Sequence, residues 1–235
     1  MHVSQKDVKP ILEALINLRF FQVHPRSDLS EKQWNYYFRW KKDMGLMNRE
    51  QGVFVELHTG IYYHELLNKK KEQLFFEDLT EETLAGIKVR CMNRDNTFLY
   101  LTYHGAQHMY FRLFWLKDVA EALRQWELDH VKILNNANEL GFERLLGVSL
   151  ELAREFFNAE IPQEYHVLLV EKRAIIKKLK RLCMRRILGP EELNFFGKLR
   201  KHYYIMSLKP GIKYKWVAFQ SIFHRWYIRK YLGGN

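Results

Sequence analysis

An acid and an imidazole stand two residues apart in the run 53–58, Val-Phe-Val-Glu-Leu-His, where they could share a chemical role. This β-branched and aromatic run predicts a strand, whose side chains alternate between its two faces. Glu56 and His58 therefore point to one side, while Val55 and Leu57 point to the other. The pair predicts either part of a metal or catalytic site or a polar, solvent-facing sheet surface. Spacing alone favours the polar surface, because a metal site needs three or four ligands.

Two histidines and an aspartate are further candidates. His104 and His108 are four residues apart, which places them on one face of a helix. Zinc proteases use this spacing with a glutamate directly after the first histidine, and here Gly105 occupies that position. Packing or hydrogen-bonding histidines are therefore the favoured interpretation. Asp118 stands in an otherwise apolar turn, where it either holds helices in register, the favoured role, or orients one of the histidines.

The C-terminal third carries the positive charge of the chain. Residues 166–235 contain 17 Lys/Arg and three acids, residues 1–165 contain 21 Lys/Arg and 24 acids, and the whole chain has a net charge of +11. Within residues 172–186 apolar residues interleave with cations in an amphipathic helical pattern. The pattern predicts either a surface for phosphates, nucleic acid or anionic lipid, or a merely solvated helix face. The anion-binding candidates are Lys172, Arg173, Lys177, Lys178, Arg181 and Arg185.

The elements that must position these residues are mostly helices. Apolar spacing predicts helices over residues 7–18, 62–73, 93–107, 111–126, 129–140, 142–157 and 166–188, two more within 191–232, and an acidic helix start at 80–83. Extended segments are predicted at residues 20–23, 34–40, 53–58 and 86–92, the second and third of them forming an antiparallel hairpin. We therefore predict an α+β fold, in which a small, incomplete antiparallel or mixed sheet packs on a predominantly helical bundle with a basic helical C-terminus.

The composition is that of a globular protein. Hydrophobic residues make up 47% and charged residues 28% of the chain, and no window approaches 18 uninterrupted apolar residues, so we expect no transmembrane helix. Cys91 and Cys183 form neither a disulfide framework nor a zinc signature, which favours a reducing, cytoplasmic location. No glycine-rich phosphate loop, G-x-S-x-G motif or Cys–His nucleophile pair is present.

The order of several short motifs resembles one known family. The motifs are Gly52-x-x-x-Glu56-Leu57-His58, the extended segment 87–92, Leu101-x-x-His104-Gly105-Ala106, Arg112-Leu113-x-Trp115-Leu116-x-Asp118-Val119, Ala137-Asn138-Glu139-Leu140-Gly141 and Ile161-Pro162. Over about residues 5–165 this order is similar to the large nucleotidyltransferase family within the polymerase-beta-like superfamily. Each motif is degenerate, and the resemblance rests on the order in which the motifs follow one another along the chain.

The resemblance implies a metal-dependent transferase. Such enzymes hold two divalent ions with three carboxylates and transfer a nucleotidyl group from a nucleoside triphosphate. Two carboxylates come from an Asp-x-Asp pair after a Gly-Ser turn, and the third comes from a later strand, where Glu56 falls in this sequence. The implied roles are Glu56 as metal carboxylate, His58, His104 and Asp118 as supporting polar groups, and Mg²⁺ as cofactor once the site is complete.

The sequence departs from the family pattern ahead of the hairpin, where it has no Gly-Ser turn and no Asp-x-Asp pair. We therefore expect these 235 residues alone to perform no nucleotidyl transfer, and the sheet to have an exposed edge near residues 53–58. A misassigned start, a truncated gene and a degenerate binding protein are the three explanations left open.

Composition and resemblance together predict three regions. They are a remnant of the nucleotidyltransferase core at residues 1–79, a helical domain at 80–165 and a basic helical region at 166–235. The alternative function is a non-catalytic helical module that binds an acidic partner, either nucleic acid or an anionic surface, through the basic C-terminal helix.

Overall fold

The computed structural model describes residues 3–61, 69–190 and 194–233. Its helices and strands, in chain order, are α1 (Val8–Asn17), β1 (Phe21–His24), α2 (Glu31–Trp40), β2 (Asp43–Asn48), β3 (Val53–His58), α3 (Lys69–Glu72), β4 (Thr80–Leu84), β5 (Ile87–Cys91), α4 (Arg94–Gln107), α5 (Leu113–Gln125), α6 (His130–Leu140), α7 (Glu143–Phe157), α8 (His166–Glu171), α9 (Arg173–Ile187), α10 (Phe195–Ser207) and α11 (Ile212–Tyr227). The α+β class is confirmed, because helices predominate and both sheets of the described chain are antiparallel.

Packing divides the chain into two compact units. The sheet unit comprises Met1–Gln73 with Trp216–Asn235, and the helical unit comprises Leu74–Lys215. The division into three regions drawn from the sequence stays a prediction. Among the described residues, no helix combines the length and the apolar character needed to cross a membrane.

The sheet unit is built on a three-stranded sheet with β2 in the centre and β3 at one edge. Met44 and Leu46 of β2 lie opposite Leu57 and Val55 of β3. Met44, Leu46 and Leu57 are fully buried, and they pack against the apolar residues Val8, Ile11, Leu12 and Leu15 of α1 and Trp34 and Phe38 of α2. One face of the sheet is therefore the core of this unit, as the alternation of β3 predicts.

The strand predicted over residues 34–40 is wrong, since these residues belong to α2. Ser30 and Gln33 form a reciprocal cap at its start: Ser30 Oγ accepts from the Gln33 N–H, and Gln33 Oε1 accepts from the Ser30 N–H at 2.8 Å. The helix then buries Tyr37 and Trp40 in a cluster with the C-terminal residues Ile228 and Leu232. The hairpin partner of β3 is consequently β2, whose side chains meet those of β3 directly.

The helical unit confirms the helices predicted between residues 93 and 157. The helices α4, α5 and α7 form its centre, and α9 packs on α7. Close contact needs small residues: a Cβ on Gly105 would lie 2.6 Å from Tyr110 Cζ, and one on Gly147 would lie 3.0 Å from Ile176 Cγ1. Glycine at these two positions therefore lets large side chains pack onto helix backbones.

Two local predictions for the rest of the chain need correction, and a third lies partly outside the described residues. Residues 80–83 do not start a helix but form β4, which pairs with β5 through a tight turn at Ala85 and Gly86, both with positive φ. The basic helix predicted over residues 166–188 is interrupted at Lys172, where ψ is 11°, and continues as α9. The helix predicted over residues 62–73 lies partly outside the described residues, which show only its end, α3.

Candidate metal centre

Three strands each bring one side chain to the sheet face that lies opposite the apolar core. Gly45 of β2 lies opposite both His24 of β1 and Glu56 of β3. Directly opposed residues share a face, and Asp43, two residues before Gly45, shares it too. One nitrogen of His24 and one oxygen each of Asp43 and Glu56 lie within 4.8 Å of one another. In the described parts of the chain, no other three His, Cys, Asp or Glu side chains offer such a grouping.

A bulge and a glycine place the imidazole in this group. The register of β1 shifts between Gln22 and His24, so His24 rather than Val23 faces Gly45. A Cβ on residue 45 would lie 2.7 Å from Phe54 Cζ and 2.8 Å from His24 Nδ1. The His24 ring, only 4% exposed, therefore fills space that any larger residue at position 45 would occupy.

Burial and hydrogen bonding hold two of the three candidate ligands, His24 and Glu56, in the protonation states that bind metals. Burial is the largest influence on His24 and lowers its pKa, although Asp43 and Glu56 oppose this. The pKa of Glu56 is lowered chiefly by a hydrogen bond from His58, whose Nε2 lies 3.3 Å from Glu56 Oε2. At neutral pH His24 is therefore a neutral imidazole and Glu56 a carboxylate, which are the ligand forms of both groups.

Asp43 supplies an oxygen that is ready for a cation. Its Oδ1 is buried and accepts no hydrogen bond from the described residues. Its backbone carbonyl accepts a hydrogen bond from the Tyr37 hydroxyl at 2.9 Å, which fixes the start of β2. The neighbouring Lys42 is also buried, which lowers its pKa, and its Nζ donates to the carbonyl of Ile61 at 2.7 Å. An unpaired buried carboxylate oxygen is costly, and a bound cation would remove that cost.

The donor set fits a divalent cation but only partly fits the expected Mg²⁺. The carboxylates of Asp43 and Glu56 are the oxygen ligands that Mg²⁺ prefers. The third donor, the imidazole of His24, is a nitrogen ligand that suits first-row transition metals better. With only three protein ligands, of which Glu56 is exposed, such a site would keep coordination positions for water or phosphate oxygens.

The structure brings one of the predicted supporting groups to Glu56. His58 contacts it on the same strand face, as predicted from their spacing. His104 and Asp118 belong to the helical unit. The His104 ring packs among aromatic rings there, with the centroids of His108 and Trp115 both 5.0 Å away. Asp118 is exposed on α5, and its role stays a prediction.

The predicted anion-binding residues fall into two groups. Lys172 lies 3.5 Å from Glu143, and Lys178 lies over the ring of Tyr203 at 4.6 Å. Arg185 is exposed near the end of α9. The remaining three line a groove of about 710 Å³ along α7, α8 and α9 and have no ion-pair partner among the described residues: Arg173, Lys177 and Arg181.

Sequence reasoning missed His24 and Asp43. His24 follows a short predicted strand, and Asp43 begins an alternating run, so each carried a weak local signal. Their approach to Glu56 depends on β2 as the central strand, and the prediction gave that place to residues 34–40. The capping pattern of Ser30 and Gln33, readable as S-x-x-Q, would have assigned those residues to a helix.

The fold and this cluster define an α+β protein that presents a carboxylate–imidazole donor set on an open sheet face. A family model described as uncharacterised nucleotidyltransferase matches residues 1–158, which is more than half of the 235-residue chain. The chain belongs to this family, and the resemblance stated above is confirmed. The general kind of activity is therefore nucleotidyl transfer. No curated protein and no solved structure matches the chain.

Proposed function

We propose that this protein binds a nucleoside triphosphate together with a divalent cation held by Glu56, for nucleotidyl transfer to an acceptor. The observation that supports the proposal is the clustering of Glu56 with Asp43 and His24 on the sheet face opposite the apolar core. Family membership supplies the reaction class. A divalent cation at such a site neutralises phosphate oxygens and orients the triphosphate.

Four residues of the chain would have different roles in binding the cation. Glu56 and Asp43 supply the negative charge that attracts a cation, and His24 supplies a neutral third donor. His58 donates a hydrogen bond to Glu56 and so fixes the direction in which its carboxylate points. In the transfer itself a nucleophilic atom of the acceptor would form a bond to the α-phosphorus and lose its proton to solvent. The bond between the α-phosphorus and the oxygen that bridges it to the β-phosphorus would break, and pyrophosphate would leave with that oxygen.

The number of ligands limits what the described residues would do by themselves. A centre with two metal ions needs more carboxylates than the two that this cluster contains. We therefore expect this chain to bind a metal ion and a nucleotide, and to show no transfer until further carboxylates complete the site. Mg²⁺ is the ion that the family resemblance implies for this centre.

Nucleotide titration of a matched pair of variants tests the proposal. ATP, GTP, CTP and UTP are titrated into the protein with and without Mg²⁺ by calorimetry, and pyrophosphate release is measured in parallel. Glu56→Gln keeps the shape but removes the charge, so it should weaken cation-dependent binding at least about tenfold. Asp28→Asn, which removes an exposed acid paired with Arg26, is the control and should bind normally. Unchanged binding and unchanged Mg²⁺ dependence in Glu56→Gln would refute the role of Glu56.

A second candidate function is the binding of an acidic partner by the groove beside α9. Arg173, Lys177 and Arg181 line it without ion-pair partners among the described residues, and its floor includes Leu169 and Ile176. Cations that have no carboxylate partner are available to phosphates. The ligand that we propose for this groove is a phosphate-rich polymer such as nucleic acid.

Salt titration with a charge-reversed variant tests this second candidate. Binding of a labelled single-stranded oligonucleotide should weaken with salt, with a log–log slope of about −2 for three phosphate contacts on a single strand. Reversal of Arg173, Lys177 and Arg181 to Glu should abolish it. The matched control reverses Lys172 and Lys178, which lie beside Glu143 and Tyr203, and should retain most of the binding. Equal loss in both variants, or no loss in either, would refute the groove as the binding site.

A further inference from the structure

We infer that His24, Asp43 and Glu56 bind one divalent transition-metal ion, of the class of Mn²⁺, Co²⁺ and Zn²⁺, in preference to Mg²⁺. The inference rests on the proposed function in one respect, since it names the ion of the same centre. It differs from the Mg²⁺ expected from the family resemblance. The observations that carry it are the chemistry of the three donors, their spacing and their fixed surroundings.

The donor chemistry discriminates between the two kinds of ion. Mg²⁺ takes oxygen ligands in near-octahedral geometry and gives up its water shell reluctantly. Imidazole nitrogen binds first-row transition metals far better, and affinity for such a site rises from Mn²⁺ through Co²⁺. A site with one imidazole and two carboxylates therefore offers three favourable ligands to a transition-metal ion but only two to Mg²⁺.

The spacing allows all three donors to reach one ion. Ligand atoms bonded to the same ion at about 2.1 Å lie at most about 4.2 Å apart. The three donor atoms already lie within 4.8 Å of one another. The Glu56 side chain is 46% exposed and keeps its contact with His58, and a small rotation of its carboxylate would shorten its distances to the other two donors.

The surroundings fix the donors in advance. The His24 ring is buried over Gly45, and any residue other than glycine at position 45 would occupy the space that the ring fills. Asp43 presents a buried oxygen with no hydrogen bond from the described residues. His58 donates to Glu56 from the same strand, which is the position of a group that orients a metal-binding carboxylate. An ordinary polar sheet surface needs neither a buried imidazole nor an unsatisfied buried carboxylate oxygen.

Cobalt titration of the full chain tests the inference without any measure of catalysis. Co²⁺ binding is followed by visible absorption and calorimetry at pH 7. We expect one equivalent to bind and to stay bound in a hundredfold excess of Mg²⁺. His24→Gln should lower Co²⁺ affinity by about a hundredfold or more and shift the absorption bands, while Mg²⁺ affinity stays unchanged. Glu56→Gln should lower the affinity for both ions.

Controls separate the loss of a ligand from the loss of the fold. Asp28→Asn changes an exposed acid of the same unit and should leave Co²⁺ binding as it is. His24 is buried, so circular dichroism and thermal unfolding accompany its variant. If His24→Gln does not fold, the exposed Glu56→Gln variant and the Mg²⁺ competition in the unaltered protein decide the question.

The outcomes distinguish this inference from the proposed function. Displacement of Co²⁺ by an equal concentration of Mg²⁺, or unchanged Co²⁺ affinity in Glu56→Gln, would overturn the transition-metal site. If Mg²⁺ displaces Co²⁺ but nucleotide binding still depends on Glu56, the proposed function stands with Mg²⁺ as its ion. If Co²⁺ binds as expected and no nucleotide binds, the metal site stands and the proposed function fails.

Discussion

Substitution of Gly45 by alanine is the sharpest perturbation of the candidate metal centre, because it leaves His24, Asp43 and Glu56 in the chain. The added Cβ would lie 2.8 Å from His24 Nδ1 and 2.7 Å from Phe54 Cζ. Carbon atoms in contact normally stand about 3.5–4.0 Å apart, so the His24 ring must move by about 1 Å. Metal–ligand distances tolerate about 0.2 Å, so a shift of this size removes the imidazole from the ligand set.

The effect on stability should be moderate by comparison. Overpacking costs about 1–3 kcal/mol, and removal of a glycine from a strand interior returns about 0.5–1 kcal/mol. A net loss of about 1–2 kcal/mol corresponds to a Tm lower by about 2–8 °C for a chain of this size. Gly45→Ala should therefore stay folded, bind Co²⁺ about a hundredfold more weakly, and keep its affinity for Mg²⁺.

Gly52→Ala provides the matched control in the turn between β2 and β3. Gly52 has a φ of +65° and no atom within 4 Å of the position of a Cβ. Alanine there costs about 1 kcal/mol through its left-handed backbone without touching His24. Calorimetric Co²⁺ titration and thermal unfolding of both variants give the answer. Equal Co²⁺ affinity in Gly45→Ala and Gly52→Ala would refute the argument that Gly45 makes room for a metal-binding imidazole.

Three further predictions concern the fold and its pH dependence. Gly105→Ala should lower the free energy of unfolding by about 1–3 kcal/mol in chemical denaturation, because its Cβ would press on the ring of Tyr110; unchanged stability would contradict that packing. Ser30→Ala should cost about 1 kcal/mol by the same assay, since it removes the N-cap of α2, and a neutral result would contradict the capping. Burial lowers the pKa of His24 and His224 below the ordinary value of 6.5, so below that pH the unfolded chain binds protons that the folded chain excludes. Urea unfolding should therefore show stability falling as the pH drops from 6.5 to 5, with a smaller fall in His24→Gln; equal slopes would contradict the burial of a neutral His24.

The helices of the helical unit could be predicted because each carries its own local signal. Apolar residues recur every three to four positions through residues 111–157, and Gly141 ends α6 in the left-handed conformation expected of a helix stop. The prediction for residues 80–83 was wrong because this segment has no clear local signal. Its two acids suit a helix start as well as an exposed strand. The strand forms because the segment pairs with β5, and an ion pair between Glu81 and Lys88 joins the two strands.

Only the part of the candidate site that lies on the single strand β3 could be predicted from the sequence. The alternation of β3 correctly places Glu56 and His58 on the face away from the core, because that property depends on period two alone. The approach of His24 and Asp43 depends on the register of three strands and on the bulge in β1. Neither of these can be read from a single segment, so the sequence predicted one ligand where the structure brings three together.

The features of this sheet face are costly for stability, and their coincidence at one place supports a binding role. Gly45 weakens the central strand by about 0.5–1 kcal/mol, and the unsatisfied oxygen of Asp43 costs about 1–3 kcal/mol. Burial of the neutral His24 ring opposes its protonation. The amides of Asn96 and Gln107 also have unsatisfied buried oxygens, but these are neutral groups within α4 and lie in no cluster of metal donors. At Asp43 the unsatisfied oxygen is a carboxylate beside a second acid and an imidazole, and a bound cation would offset its cost by taking that oxygen and the His24 nitrogen as ligands.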